Sequence, residues 1–552
     1  MEDALSLDAR VRWRRLKRLG ERVRACAPTR TEAALSALSA ALLVFSFPDF
    51  NLWPLAWVAL VPLLISVARR PQAGRAFLLG WLMGTLFFYC SCYWLTHALV
   101  RYGGIPKLVA FLLLAPGALI IGIFPGLCAL LVARVVGRWG VRALFAAPFF
   151  WVALEWARLG VLGQLWNAIG YSQAYVPSLI QTARWGGVYA VGFLILTMNA
   201  SLAYLLLRRT RRALMTTVGT TTVIALVALA AHLVAQSEMD TNAGEAPAAV
   251  LIAVQPNVPM DPVESLSEMA SLVERHKSLS EGALGERESR GKASADSTVP
   301  RVVVWPESPM HFAYARDSEF RDYVAEFTVR NRASVIFNSQ EPAPAGGSYN
   351  AAVMVNEEGR LVAQYDKIRL LPFGEYVPLP RWLPGVRWIP VLVGDFTPGA
   401  EYPLMPLGRA RAGVFICFES AFPAIARRFA LDGADVLINI SNDGYLGETP
   451  VMRQHLANAV FRAVENARPV ARVTNTGITA FINARGEVED ATAGFQTAVR
   501  TWTVRPATNG QTFYTRRGDL LAWLCALCGF LMLAMTFRKA VGGQQSAAQL
   551  KD

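Results

Sequence analysis

Residues 412–420 read Ala-Gly-Val-Phe-Ile-Cys-Phe-Glu-Ser, a short β-prone run that ends on Cys417 and is followed by an aromatic ring and a carboxylate. Such a run reads as a buried strand, and a thiol at its end stands where a loop begins and a ligand can reach it. Two other places share this layout. Arg301 to Trp305 leads into Pro306-Glu307-Ser308, and Tyr365-Asp366-Lys367 leads into Leu371-Pro372-Phe373-Gly374-Glu375-Tyr376-Val377-Pro378. Taken singly, each has an ordinary explanation: a strand-end glutamate is commonly a solvated or capping group, and a buried cysteine a small hydrophobe.

Around these motifs further runs read as strands, namely Ala249 to Val254, Ala333 to Asn338, Val353 to Asn356, Asp435 to Ile440, Val470 to Thr474 and Thr479 to Asn483. Helical patterns cover Glu319 to Asn331, Phe422 to Leu431 and Met452 to Ala467. Alternation of this kind predicts an α/β domain, and residues 237–518 are enough to bury its core. Within it, Ser278 to Thr298 is rich in Ser, Gly, Ala and charge and reads as a mobile surface insertion.

The flanks are of another character. Apolar stretches run from Ala33 to Phe47, Leu52 to Val67, Phe77 to Val100, Leu108 to Val136, Ala143 to Leu159, Trp185 to Leu207, Ala213 to Val234 and Leu520 to Phe537. A membrane helix needs roughly 20 such residues, so the expectation is a bundle of eight spans, the shorter ones being the weaker members. Arg69, Arg70 and Arg75 fall in one loop, Arg134, Arg138 and Arg142 in another, and Arg208, Arg209, Arg211 and Arg212 in a third. In an eight-helix alternation all three loops share a side with the basic run from Arg10 to Arg24 and with Arg538 and Lys539. The opposite loops hold only Arg101 with Lys107 and Arg158 with Arg184. Positive charge marks the cytoplasmic side, so both termini are expected inside and the α/β segment outside. The expected division is a basic tail over 1–31, seven helices over 32–236, the outward domain over 237–518, an eighth helix over 519–538 and a tail over 539–552.

Composition agrees. With 53% hydrophobic and 17% charged residues, the chain lies outside ordinary soluble usage. Its net charge of +13 is concentrated in the N-terminal run and in arginine clusters beside apolar segments. It therefore marks helix flanks, and no nucleic-acid partner is expected. Of seven cysteines, only Cys417 lies in the long polar segment, which leaves it no disulfide partner there. Cys90 with Cys92, and Cys525 with Cys528, fall inside apolar helices. His97, His232, His276, His311 and His455 are scattered without ligand spacing, so no metal or cofactor is expected.

Together, Glu307, Lys367 and Cys417, in this order along an α/β pattern, resemble the nitrilase superfamily, whose Glu, Lys and Cys triad occupies such motifs. Pro372 to Pro378, Ile440-Ser441-Asn442-Asp443, Asn475-Thr476-Gly477-Ile478-Thr479 and the apolar helices narrow the likeness. That combination is similar to the apolipoprotein N-acyltransferase family. The resemblance implies a polytopic helical membrane bundle carrying an αββα sandwich in a bacterial inner membrane. It also implies acyl transfer from a phospholipid to the α-amino group of an S-diacylglyceryl cysteine at a lipoprotein's N-terminus. Supporting roles follow for Glu375 and Glu419. The chain departs from the family at Phe418, which lacks the hydroxyl of the common Tyr, and at Tyr445 and Leu446, where Trp and Phe are commoner.

The chemistry can be rebuilt from residue types. A thiol of ordinary pKa, about 8.5, holds little thiolate at neutral pH, and Glu307 supplies a base for it. Lys367 and the backbone N–H of Phe418 suit a developing oxyanion. The segment Leu370 to Pro398, with Phe373, Trp382, Trp388 and Phe396, reads as an aromatic lid beside the bilayer. A monomer is expected, since one chain supplies all three groups. The competing expectation is a membrane-tethered carbon-nitrogen hydrolase that cleaves a small amide with the same triad.

Overall fold

The computed structural model describes residues 26–537 apart from 243, 261–264, 292–298, 308–311, 345, 378–381, 383–393 and 509. The basic run before residue 26 and the tail after 537 lie outside the described residues.

Helices cover Arg30–Ser46, Val61–Arg69, Ala73–Ser91, Leu95–Arg101, Lys107–Trp139, Ala147–Leu162, Val188–Arg208 and Arg211–Asn242, and Leu520–Phe537 follows the α/β domain. Among the described residues six helical stretches are long and apolar enough to cross a membrane: Ala73–Ser91, Lys107–Trp139, Val141–Leu162, Val188–Arg208, Arg211–Glu238 and Leu520–Phe537. The other two expected spans are helical but shorter. Arg30–Ser46 has 17 residues, a length of about 26 Å at 1.5 Å per residue, against about 30 Å of hydrocarbon.

The stretch expected to run unbroken from Phe77 to Val100 breaks after Ser91. There the buried Trp94 indole N–H lies 3.1 Å from both the Ser91 carbonyl and Gln454 Oε1, and a new helix starts at Leu95. Tight crossing within the bundle depends on small residues. A Cβ on Gly80 would sit 2.4 Å from the Pro125 carbonyl oxygen, and one on Gly84 2.7 Å from the Pro125 ring, so only glycine lets Ala73–Ser91 approach Lys107–Trp139 this closely.

The α/β domain holds two facing six-stranded sheets. Its strands are β1 (Ala249–Gln255), β2 (Arg301–Val304), β3 (Ser334–Pro342), β4 (Ser348–Val355), β5 (Leu361–Asp366), β6 (Leu404–Leu407), β7 (Ala410–Ile416), β8 (Val436–Ser441), β9 (Val470–Thr474), β10 (Ala480–Ile482), β11 (Val488–Glu489) and β12 (Ala498–Val504). The first sheet runs β12-β1-β2-β3-β4-β5 and the second β11-β10-β9-β8-β7-β6. Each has a parallel centre, β1-β2-β3 or β7-β8-β9, bordered by antiparallel strands.

Side chains alternate across the sheets with period two. On β1, Ala249, Leu251 and Ala253 enter the core shared with the second sheet, whereas Val250, Ile252 and Val254 enter a core beneath the helices Leu266–Gly291 and Ser318–Asn331. A strand buried on both faces reads as an unbroken apolar run, which is why β1 is legible in the sequence. Trp305 anchors the outer core at 1% exposure, its indole N–H donating to Ser280 Oγ at 3.0 Å. Truncating such a ring costs about 3–5 kcal/mol.

Two expectations change here. Ser278 to Gly291 belongs to a helix rather than to an insertion, because Leu272, His276, Ser280 and Leu284 form a buried face against Trp305 that the polar composition conceals. β5, β6, β11 and β12 were not anticipated. All lie at or next to sheet edges, where exposed positions dilute the apolar signal.

The helix Val451–Asn466 joins the two halves. One flank packs on the second sheet, and the other meets the bundle: Gln454 accepts from the indoles of Trp94 and Trp166 and donates to the carbonyls of Pro48 and Ser91. Lower down, Glu465 accepts from Arg462 (2.8 Å) and from the backbone N–H of Val188 (3.0 Å).

Candidate active site

Glu307, Lys367 and Cys417 each follow a strand, and the facing of the two sheets brings them together. Glu307 stands past β2, Lys367 at the end of β5, and Cys417 directly after β7. Lys367 is 1% exposed; its Nζ donates to Glu375 Oε1 at 2.8 Å and to Glu307 Oε1 at 3.2 Å. Asn350 Nδ2 donates to the same two oxygens, at 2.6 and 3.0 Å, while its own oxygen accepts from Asn338 Nδ2 at 2.7 Å. One ammonium and one amide thus hold two carboxylates in register. Burial disfavours the Lys367 cation, but the charges of Glu307 and then Glu375 outweigh it and hold the pKa well above the ordinary lysine value.

Cys417 is half-buried with φ at +51°, in the left-handed region. A non-glycine residue held there costs about 1–3 kcal/mol, which the surroundings must offset. Its carbonyl accepts from His455 Nε2 at 2.9 Å, with Asn439 Nδ2 at 3.4 Å. Burial, then the Glu307 charge, push the thiol above its ordinary pKa, while Lys367 pulls the other way. That direction favours the thiol over the thiolate.

Glu419 ties the two strand ends together. Oε1 accepts from the backbone N–H groups of Ile368 (2.8 Å) and Arg369 (3.0 Å), Oε2 from that of Ile416 (2.8 Å), and the Tyr365 hydroxyl lies within 2.9 Å of both. Burial raises its pKa to about 7, against these donors, which favour the carboxylate. Glu419 therefore acts on the residues flanking Lys367 and Cys417, whereas Glu375 touches Lys367 itself.

The bundle walls the site. Phe418 stacks on Trp166 (centroids 6.1 Å apart, 23° between planes), and Tyr445 packs edge-on against Tyr102 at 5.5 Å. Leu446 is partly buried against the core. Of the expected lid residues, Trp382 is 79% exposed and Trp388 lies outside the described residues. Phe373 is exposed and Phe396 buried. Among the described residues no group of three or more His, Cys, Asp or Glu is placed to hold a metal ion.

With this geometry in view, the likeness to known proteins is specific. The sequence profile described as Apolipoprotein N-acyltransferase N-terminal domain matches residues 39–201, and that of Carbon-nitrogen hydrolase matches 254–512. The apolipoprotein N-acyltransferase of Geobacter metallireducens is 32% identical over 519 residues, covering 92% of this chain and 96% of its own. The chain belongs to the apolipoprotein N-acyltransferase family. The same-named protein of Chlorobaculum tepidum is 30% identical over 550 residues, with 92% and 96% covered. Among solved structures, an amidase from Nesterenkonia sp. is 15% identical, covering 50% of this chain and 96% of its own, at a TM-score of 0.35. The family match gives the chain a carbon-nitrogen hydrolase domain and a part in lipoprotein N-acylation, alongside apolar helices suited to a membrane.

Several residues around the site of this family member were not anticipated from sequence. Asn350 sits in mid-strand without a motif of its own. His455 reads as one of five scattered histidines, yet its ring lies between Cys417 and Asp443. Trp94 and Trp166 belong to no motif, and only the packing of bundle on sheet brings them to Gln454 and Phe418. The one available signal was Asn442-Asp443, a polar pair directly after the buried strand β8.

Proposed function

We propose that Glu307, Lys367 and Cys417 carry out a two-step transfer of an acyl chain from a phospholipid to the N-terminal α-amino group of a diacylated apolipoprotein. Glu307 accepts the Cys417 proton as Sγ attacks the ester carbonyl. The S–C bond forms, the C–O bond to the lysophospholipid breaks, and the proton passes from Glu307 to the departing alkoxide. The acyl chain then rests on Cys417 as a thioester. In the second half the amine attacks the thioester, Glu307 takes a proton from nitrogen, the C–N bond forms, and sulfur leaves and regains its proton. Lys367 and the Phe418 N–H steady the oxyanion in both halves, and Glu375 holds Lys367 in place.

The observation that carries this reading is the stacking of Phe418, next to the thiol, on Trp166 of the helical bundle. A site walled by the connections between the helices of the bundle suits a lipid ester, whereas a small-amide hydrolase has no use for that wall. Trp382, Trp388, Tyr445 and Leu446 are assigned to the lipid entrance. The arginine distribution supports both termini in the cytoplasm and residues 237–518 on the periplasmic side of the inner membrane, with the two shorter helical segments completing eight spans.

The test is a reconstituted assay with a phospholipid carrying an isotope-labelled acyl chain and a synthetic diacylated lipopeptide. The label is expected on the lipopeptide's α-amine, with parallel double-reciprocal plots as the two substrates are varied. Release of free fatty acid alone, with the amine untouched, would sink the reading.

A further inference from the structure

We infer that a buried Arg472-Asp443-His455 chain is the positioning device for the oxyanion donor of this site: by gripping the Cys417 carbonyl it aims the N–H of Phe418. The inference rests on the proposed acyl transfer and deepens it.

A trans peptide points its C=O and N–H in opposite directions. The carbonyl of Cys417 and the N–H of Phe418 belong to one such peptide, so whatever fixes the first orients the second. His455 Nε2 stands 2.9 Å from that carbonyl, and its Nδ1 stands 2.8 Å from Asp443 Oδ1. Arg472 Nη2 donates to Asp443 Oδ2 at 2.8 Å, and its Nη1 donates at 2.5 Å to Asn439 Oδ1, whose amide is the carbonyl's second contact. One guanidinium, itself fully buried, therefore braces both groups that hold the Cys417 carbonyl.

Two features show why such a brace is needed. Cys417 is held in the left-handed region, a conformation that relaxes unless its peptide is pinned. Phe418 continues the short 3-10 turn Cys417–Ala421, whose side-chain bond, from the Ile416 N–H to Glu419, lies before Cys417 and leaves the Cys417–Phe418 peptide to be held from outside. Hydrogen bonding to a peptide oxygen also polarises the N–H of that peptide, so the contact strengthens the donor as well as aiming it. The ring faces two acceptors, and both are satisfied only when both nitrogens carry protons; burial and Arg472 hold its pKa below the ordinary histidine value against the pull of the Asp443 carboxylate. His455 does not touch the reacting atoms, and its role is carried through the peptide.

The experiment compares the wild-type protein, His455→Ala, His455→Asn and His455→Gln, each full-length in detergent micelles with phospholipid. The glutamine amide reaches about as far as Nε2 and keeps a donor for the carbonyl. The asparagine amide reaches only to the place of Nδ1. With ¹³C-carbonyl phospholipid and no acceptor, the accumulated thioester is read by isotope-edited infrared spectroscopy. In His455→Ala and His455→Asn its C=O band should move to higher frequency, since the oxyanion donor is mis-aimed, and kcat should fall on the order of 10²-fold with KM nearly unchanged. His455→Gln should recover most of both. An unshifted band overturns the inference whether or not kcat falls, because loss of rate with an intact donor means a structural role only. If the alanine variant does not fold, the asparagine and glutamine pair carries the same comparison. A wild-type protein that accumulates no thioester condemns the underlying reading instead.

Discussion

Lys367 and Cys417 stand at the ends of strands in facing sheets, yet their surroundings differ in kind. Around Lys367 the contacts are between side chains: two carboxylates and one amide converge on a buried ammonium. Around Cys417 they reach the backbone, where His455 and Asn439 hold a carbonyl and Glu419 holds the preceding N–H. The first sheet thus supplies charge, which a single substitution changes in sign or number. The second supplies conformation, which depends on several donors together and degrades more gradually.

The comparison predicts graded losses. Cys417→Ser should lower acyl transfer at least about 10⁴-fold, because the hydroxyl is far less acidic than the thiol, without altering the fold. This is checked by label transfer alongside a thermal melt.

Lys367→Met should lower kcat roughly 10²–10³-fold and, by stranding Glu307 and Glu375 as unpaired buried carboxylates, destabilise the protein by about 3–5 kcal/mol. A variant that loses activity but melts normally would show that the carboxylates do not depend on the ammonium. Glu419→Gln should cost about 1–3 kcal/mol, since the amide nitrogen turns a donor toward N–H groups that need an acceptor. Rate and stability should fall together there, unlike at Cys417.

Asp443 gives a pH signature. Burial opposes its ionisation, but Arg472 and then His455 prevail and lower its pKa to about 2 from 3.8. A folded pKa below the unfolded one contributes stability that is complete above about pH 4 and fades as pH falls toward 2. The wild-type melting temperature should drop across that window, and Asp443→Asn should flatten this part of the drop. Phe418→Tyr should be the mildest change, at most about fivefold in rate, the worth of one hydrogen bond near 1 kcal/mol. A larger change would mean that the stacking on Trp166 is itself disturbed.

How far the sequence reveals this arrangement follows the same division. Glu307 and Cys417 are readable because each follows a short apolar run, and apolar runs are what periodicity detects, whereas Lys367 is readable through the Leu371 to Pro378 motif that comes after it. β1, β7 and β8, buried on both faces, are readable for that reason, whereas the edge strand β5 that carries Lys367 is not. His455, Asn439 and Arg472 act on one peptide bond from three separate elements, and no spacing rule links residues that meet only in three dimensions. The helix over 278–291 is hidden because its buried face is carried by few residues among many polar ones, and the break after Ser91 because Trp94 finds its partner Gln454 360 residues away.

The most direct measurement is intact-protein mass spectrometry after incubation with phospholipid alone. The account predicts a mass increase of one acyl chain, mapped by proteolysis to Cys417, absent in Cys417→Ala and lost on adding a diacylated lipopeptide. A folded protein that acylates the lipopeptide without ever carrying that adduct would contradict it.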